Sequence, residues 1–165
     1  MSGGNIPMTP SGLKRLKDEL KQLQSVERGK ISREIEVARA HGDLRENAEY
    51  HAAKEKQSHI EGRILDINDW IARAEVIDPS KVKGDKVVFG ATVALQDLES
   101  EKDVTYTIVG ELEADIKKRL IAVTSPVARA LVGKQVGDVV TVQSPGGPRE
   151  YELLSISFDH ALAGE

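Results

Sequence analysis

Cysteine is absent from the chain, which excludes disulfides and thiolate chemistry and is compatible with a cytosolic setting. Aromatic residues are scarce at 4%, while charged residues reach 30%. That balance suits a protein in which much of the chain is a thin helical rod with little interior. No apolar run is long enough for a membrane span, and the polar, Gly-rich stretch from Met1 to Ser11 does not read as a signal peptide, so a cytoplasmic protein is expected. No nucleophile–base pair, phosphate-binding Walker loop or dinucleotide fingerprint occurs, so no active site complete within one chain is expected. The net charge of −4 argues against a dedicated nucleic-acid binder.

What is present is helical periodicity. Leu13, Leu16, Leu20 and Leu23 recur at steps of 3 and 4, and Ile31, Ile35 and Ala38 resume the stripe. Ile60, Ile64, Ile67, Ile71 and Ala74 repeat the rhythm. Such stripes, joined by a few residues, bury their seams against each other as an antiparallel coiled-coil hairpin. Each arm has roughly 30 residues, a rod of about 45 Å at 1.5 Å per residue. The first arm should start at Thr9-Pro10-Ser11, a hydroxyl cap with proline just inside, and end near Ala40 with Gly42 as its left-handed terminator. From Leu23 to Ile31 the seam steps by 8 rather than 7, which predicts a local irregularity, with Glu27 and Lys30 where a strict heptad wants apolar groups. The second arm is expected from about Asp43 to Ala74, before the breaker Asp78-Pro79-Ser80.

Charge is uneven along the arms. Residues 11–40 hold eight basic and five acidic side chains, and residues 41–75 hold five basic and eight acidic. The arms can therefore pair along their flanks, or the first can offer a basic strip to phosphates or an acidic groove. Between them, Asp43 and Glu46 form Asp-x-x-Glu at the expected start of a helix. This is a capping-box spacing, and carboxylates suit the positive end of a helix dipole. It is also a pair of hard oxygen ligands for Mg²⁺, which keeps most of its waters and takes one or two protein carboxylates. On an exposed tip such a pair would hold the ion weakly alone, but usefully inside another protein's site that already has a metal and a phosphodiester. His41 and His51 lie nearby without the spacing of a zinc site.

Beyond Lys83 the pattern changes to period two. Strands are expected at Lys86–Leu95, Val104–Val109, Gly137–Gln143 and Glu150–Phe158, with turns at Lys83-Gly84-Asp85 and Pro145-Gly-Gly-Pro148. A short helix, Pro126 to Leu131, is capped by Ser125 and stopped by Gly133. The fold class expected is α+β, with residues 1–78 as the hairpin and 79–165 as a small, mostly antiparallel sheet domain with one short helix.

Gly42-Asp-Leu-Arg-Glu-Asn-Ala-Glu-Tyr-His-Ala-Ala-Lys-Glu55 closely resembles the tip of bacterial transcript cleavage factors of the GreA/GreB type. Thr124-Ser-Pro-Val-Ala-Arg-Ala-Leu-Val-Gly133, Gly137-Asp-Val-Val and Pro145-Gly-Gly-Pro-Arg-Glu-Tyr151 resemble the C-terminal domain of the same family. The likeness spans about Met8 to Phe158 and is nearer the GreA side. It implies an FKBP-like C-terminal domain that docks at the secondary channel of RNA polymerase, with Ser125, Pro126, Val127 and Arg129 on the docking loop. It implies a hairpin that enters this channel as a monomeric accessory factor rather than an enzyme. The tip carboxylates map onto Asp43 and Glu46, which would help hold a Mg²⁺ shared with the polymerase while backtracked RNA is cut at its 3′ end. Arg45 stands where relatives often carry serine, and it can pair with Glu46 or Glu49 or contact RNA phosphate. Three other readings compete. One is an inhibitory secondary-channel regulator, the second an FKBP-like isomerase or chaperone, and the third a coiled-coil adaptor or DNA-binding regulator in which the tip plays no part.

Overall fold

A computed structural model describes residues 4–43, 45–82 and 84–158. Lys83, in one of the expected turns, and Met1 to Gly3, in the expected polar start, lie outside the described residues. The chain divides into a unit of residues 14–73 and a second unit in which residues 4–13 join residues 74 onward.

The first unit is the helical hairpin. Its first arm comprises α1 (Pro10–Gln22), a π-helical turn (Leu23–Glu27) and α2 (Arg28–Arg39), and its return arm is α3 (Ala48–Ala72). The π turn lies within the eight-residue step of the seam. A π turn takes up one extra residue, so Ile31 is brought back to the buried seam while Lys30 remains in solvent. Leu16, Ile31 and Ala38 on one arm and Ala53, Ile64 and Ile67 on the other are buried. Ion pairs close the flanks. Arg28 donates to Glu61 through Nε and Nη2, at 2.8 and 2.7 Å, and Arg63 donates to Glu19 in the same way at 2.7 and 2.9 Å. Hydrogen bonding by the guanidinium holds each carboxyl below its ordinary range and raises each arginine. Arg63 also lies 5.0 Å from the centroid of the Trp70 ring.

The second unit holds a five-stranded sheet in the order β5-β4-β3-β7-β6, with β3 (Thr92–Asp97), β4 (Asp103–Val109), β5 (Leu120–Ala122), β6 (Val139–Ser144) and β7 (Gly147–Ser157). Only β4–β5 pairs in parallel within it. Side chains alternate along β3, so Val93 and Leu95 enter the core while Thr92 and Ala94 lie on the other face. Ala128 and Leu131 of α4 (Pro126–Leu131) are buried in the same cluster with Ile108, Val140 and Leu153.

The expected strand at Lys86–Leu95 is shorter than the sequence pattern suggested. Lys86 makes a single bridge to Gln135, and Gly90, with φ +90°, turns the chain before Thr92 begins the strand. The boundary drawn at 78/79 falls inside this unit. Its N-terminal part supplies β1 (Ile6–Met8), which pairs in parallel with β2 (Ala74–Val76). Buried Glu113 accepts the Thr9 and Gly110 backbone N–H groups, at 3.0 and 3.1 Å, and the Thr9 hydroxyl. A carboxylate with three donors is satisfied without water, and it fixes the segment that starts α1.

Candidate functional site

The loop between the hairpin arms begins as α2 stops. Ala40 and His41 donate to carbonyls of the last turn, and Gly42 takes φ +115°, which favours glycine. Asp43 and Glu46 are both exposed, and they line one shallow hollow of about 410 Å³ with His41, Asn47, Ala48 and Glu49. The two sequence-derived metal candidates therefore share a concave surface. Among the described residues no group of three or more His, Asp or Glu could hold a metal ion. The donor set is two exposed carboxylates, which fits a hard cation held jointly with another macromolecule.

Asp43 and Glu46 form no capping box. The return helix starts at Ala48 rather than near Asp43, and its cap is Asn47, whose Oδ1 accepts the Tyr50 N–H at 3.0 Å. Asn47 wins because an amide can donate as well as accept. Its Nδ2 bonds the Ala38 carbonyl at 2.6 Å, a contact no ionised carboxylate can make. Asp43 instead closes a local turn by accepting the Arg45 N–H at 2.9 Å. Glu46 stays out of the cap.

The sequence offers His51 only as a zinc ligand of the wrong spacing, and it points to no tip role for Asn47. Asn47 had a signal, an N-cap residue type ahead of the helical Ala48-Glu49-Tyr50. His51 had none, since its Nε2 meets the Arg45 carbonyl at 2.9 Å only after the loop has folded back. His41 lies 3.8 Å from Glu49. Among the described residues no ion pair joins Arg45 to Glu46 or Glu49, so its exposed guanidinium is left for solvent or a partner. The flank pairs run both ways, with Arg28 on the first arm meeting Glu61 and Glu34 on the first arm meeting Lys56.

In the sheet unit, Ser125 caps α4 by accepting the Ala128 N–H at 3.3 Å, and Pro126 occupies the first helical turn. Val127 is half-buried against the core, while Pro126 and Arg129 are exposed. Of this quartet, Pro126 and Arg129 have the most surface to offer a partner.

Two family models match the chain, one described as transcription elongation factor, N-terminal, over residues 6–76. The other, transcription elongation factor GreA/GreB C-terminal, matches residues 81–158. Similar proteins named transcription elongation factor GreA occur in several bacteria. The one from Anaeromyxobacter sp. strain K is 67% identical over 153 residues, 93% of this chain and 92% of that protein. That from Alkalilimnicola ehrlichii is 56% identical, covering 93% and 98%, and that from Xylella fastidiosa strain 9a5c is 56% identical, covering 92% and 97%. With both halves matched and a GreA sharing two residues in three, this chain belongs to the GreA/GreB family of transcription elongation factors and stands on its GreA side.

Proposed function

We propose that this protein binds bacterial RNA polymerase, inserts its hairpin into the secondary channel and stimulates the polymerase's own cleavage of backtracked RNA. It acts as a cytoplasmic, monomeric accessory factor, and the reacting groups belong mainly to the polymerase. The observation carrying this reading is the pair of exposed carboxylates, Asp43 and Glu46, lining one hollow at the hairpin tip. Neither serves as the helix cap, so both are available to a partner's site.

Asp43 keeps Oδ2 for a ligand while Oδ1 holds the Arg45 N–H. Glu46 has no hydrogen bond to protein among the described residues and can offer either oxygen. Together they would hold a Mg²⁺ shared with the polymerase; when bound, that ion activates water and offsets the charge developing on the phosphate. The exposed guanidinium of Arg45 adds a donor for an RNA phosphate beside the carboxylates. Docking falls to the α4 loop, where exposed Pro126 and Arg129 offer an apolar and a cationic contact.

The test is RNA cleavage in a halted, backtracked elongation complex at fixed Mg²⁺. Wild type should accelerate cleavage, and Asp43→Ala and Glu46→Ala should each lower the rate about 10- to 100-fold while still binding polymerase. Wild-type binding without acceleration would make this an inhibitory regulator instead. Arg129→Ala should weaken polymerase binding and leave the cleavage rate at saturation unchanged.

A further inference from the structure

Asn47 is bonded at both ends of its amide. Oδ1 takes the Tyr50 N–H in the first turn of α3, and Nδ2 reaches the Ala38 carbonyl in the last turn of α2. That carbonyl also accepts the His41 N–H, at 3.1 Å, so both of its acceptor positions are used. One side chain thus ties the end of one arm to the start of the other.

Glu46 is the residue immediately before it. On its other side, the Arg45 peptide is held from both directions. Its N–H donates to Asp43, and its carbonyl meets the ring of His51, a ring that packs edge-on to Tyr50 at 5.6 Å. The backbone carrying Glu46 is therefore held on both sides, at Arg45 and at Asn47, although Glu46 is exposed and little apolar surface is buried nearby. We propose that Asn47, supported by His51, is a positioning residue that pins the backbone at Glu46, so that the two tip carboxylates meet a shared divalent cation together. This rests on the function proposed above. A Glu46 backbone already held on both sides in the free protein loses less conformational entropy when the ion is shared, and partners that orient ligands tune affinity in this way.

The competing role for Asn47 is a helix cap and nothing more. Asn47→Ser separates the two, because serine caps a helix about as well as asparagine but is too short to reach the Ala38 carbonyl. Two readouts are needed. In the free protein, amide exchange at Tyr50 should stay slow in the variant while exchange at Arg45 accelerates several-fold. In backtracked complexes, the Mg²⁺ concentration for half-maximal cleavage should rise about 10-fold. The rate at saturating Mg²⁺ and the affinity for polymerase should stay near wild type.

A variant matching wild type in both readouts would reduce Asn47 to a cap. Loss of Tyr50 protection together with that of Arg45 would mean fraying of the whole helix start, and would also overturn the proposal. Failure of wild type to stimulate cleavage would instead remove the proposed function, and the metal role of Asn47 with it.

Discussion

The two units keep their structure by different means. In the sheet unit, Leu95, Ile108, Leu131 and Leu153 are fully buried, enclosed by strands and by α4. In the hairpin each seam residue faces only one opposing helix, and the seam thins towards the tip. Ile64, Ile67 and Ile31 give way to Ala53 and Ala38, the last buried residues before the loop. Apolar burial scales with area, so alanines contribute little there, and the tip relies on polar bonds of defined geometry. The part of the hairpin that exposes Asp43 and Glu46 is thus the one with least hydrophobic support.

Truncation in each unit tests that contrast most strongly. Leu131→Ala should cost about 3–5 kcal/mol, because strands on several sides prevent the cavity from collapsing. Ile31→Ala in the hairpin should cost less, about 2 kcal/mol, since a two-helix seam can shift inward. Trp70, the single tryptophan, lies in α3 and reports on the hairpin, while Tyr106 and Tyr151 lie in the sheet and report on it once Tyr50, the tyrosine of α3, is replaced by Phe in every protein compared. Urea unfolding followed at both signals should show Leu131→Ala moving the sheet midpoint further than Ile31→Ala moves the hairpin midpoint. Equal shifts would mean that the hairpin is packed as rigidly as the sheet.

A smaller effect is expected where the N-terminal segment meets the sheet unit. A Cβ on Gly110 would sit 2.2 Å from the Pro7 carbonyl oxygen, so the backbone of β1 must give way. Gly110→Ala should cost about 1–3 kcal/mol, as overpacking does. It should also speed exchange of the Ile77 amide, which bonds the Met8 carbonyl at 2.9 Å. An unchanged Ile77 amide would show that β1 is held by something other than this close approach.

The hairpin was legible because its information is local. Period, cap and terminator all lie within a few residues of the structure they produce, and the step from Leu23 to Ile31 announces an irregularity that the structure identifies as a π turn. The start of α3 was misread because Asp43-x-x-Glu46 and Asn47 both qualify as caps. What decides between them is the Ala38 carbonyl, nine residues back and placed only after the arms pair. The strand β1 was hidden for a similar reason. Ile6-Pro7-Met8 reads as a break, and its partner Ala74–Val76 lies at the far end of the hairpin in sequence. Asp43 and Glu46 stand out as candidates by type and spacing, whereas the contacts of Asn47 with Ala38 and of His51 with Arg45 exist only once the loop has folded.

Acid should loosen the hairpin. The carboxyls of Glu19 and Glu61 are held below their ordinary range by Arg63 and Arg28. A depressed carboxyl pKa stabilises the fold fully above the unfolded value of about 4.3 and loses that contribution as pH falls through the folded value. Lowering the pH from 7 towards 3 should therefore shift the Trp70 transition to lower urea, and Glu19→Gln with Glu61→Gln should flatten that dependence. These pairs are exposed, so the effect is modest and should shrink in high salt. A pH profile unchanged in the double variant would assign the acid sensitivity to other carboxylates.

The smallest change should follow from deleting Ser25. Removing one residue from the π turn shortens the step between Leu23 and Ile31 to the seven of an ordinary heptad. An unbroken α-helix then carries both residues on the same face, with better hydrogen-bond geometry than a π turn provides. The Trp70 transition should stay close to wild type. Inserting one alanine between Ile31 and Ile35 is the opposite case, because it rotates everything beyond it by about 100° and turns Ala38 away from α3. That insertion should destabilise the hairpin and displace the Ala38 carbonyl from Asn47. If deletion is as damaging as insertion, the π turn does more than absorb one residue, and the eight-residue step has to be explained by what Glu27 or Arg28 contacts.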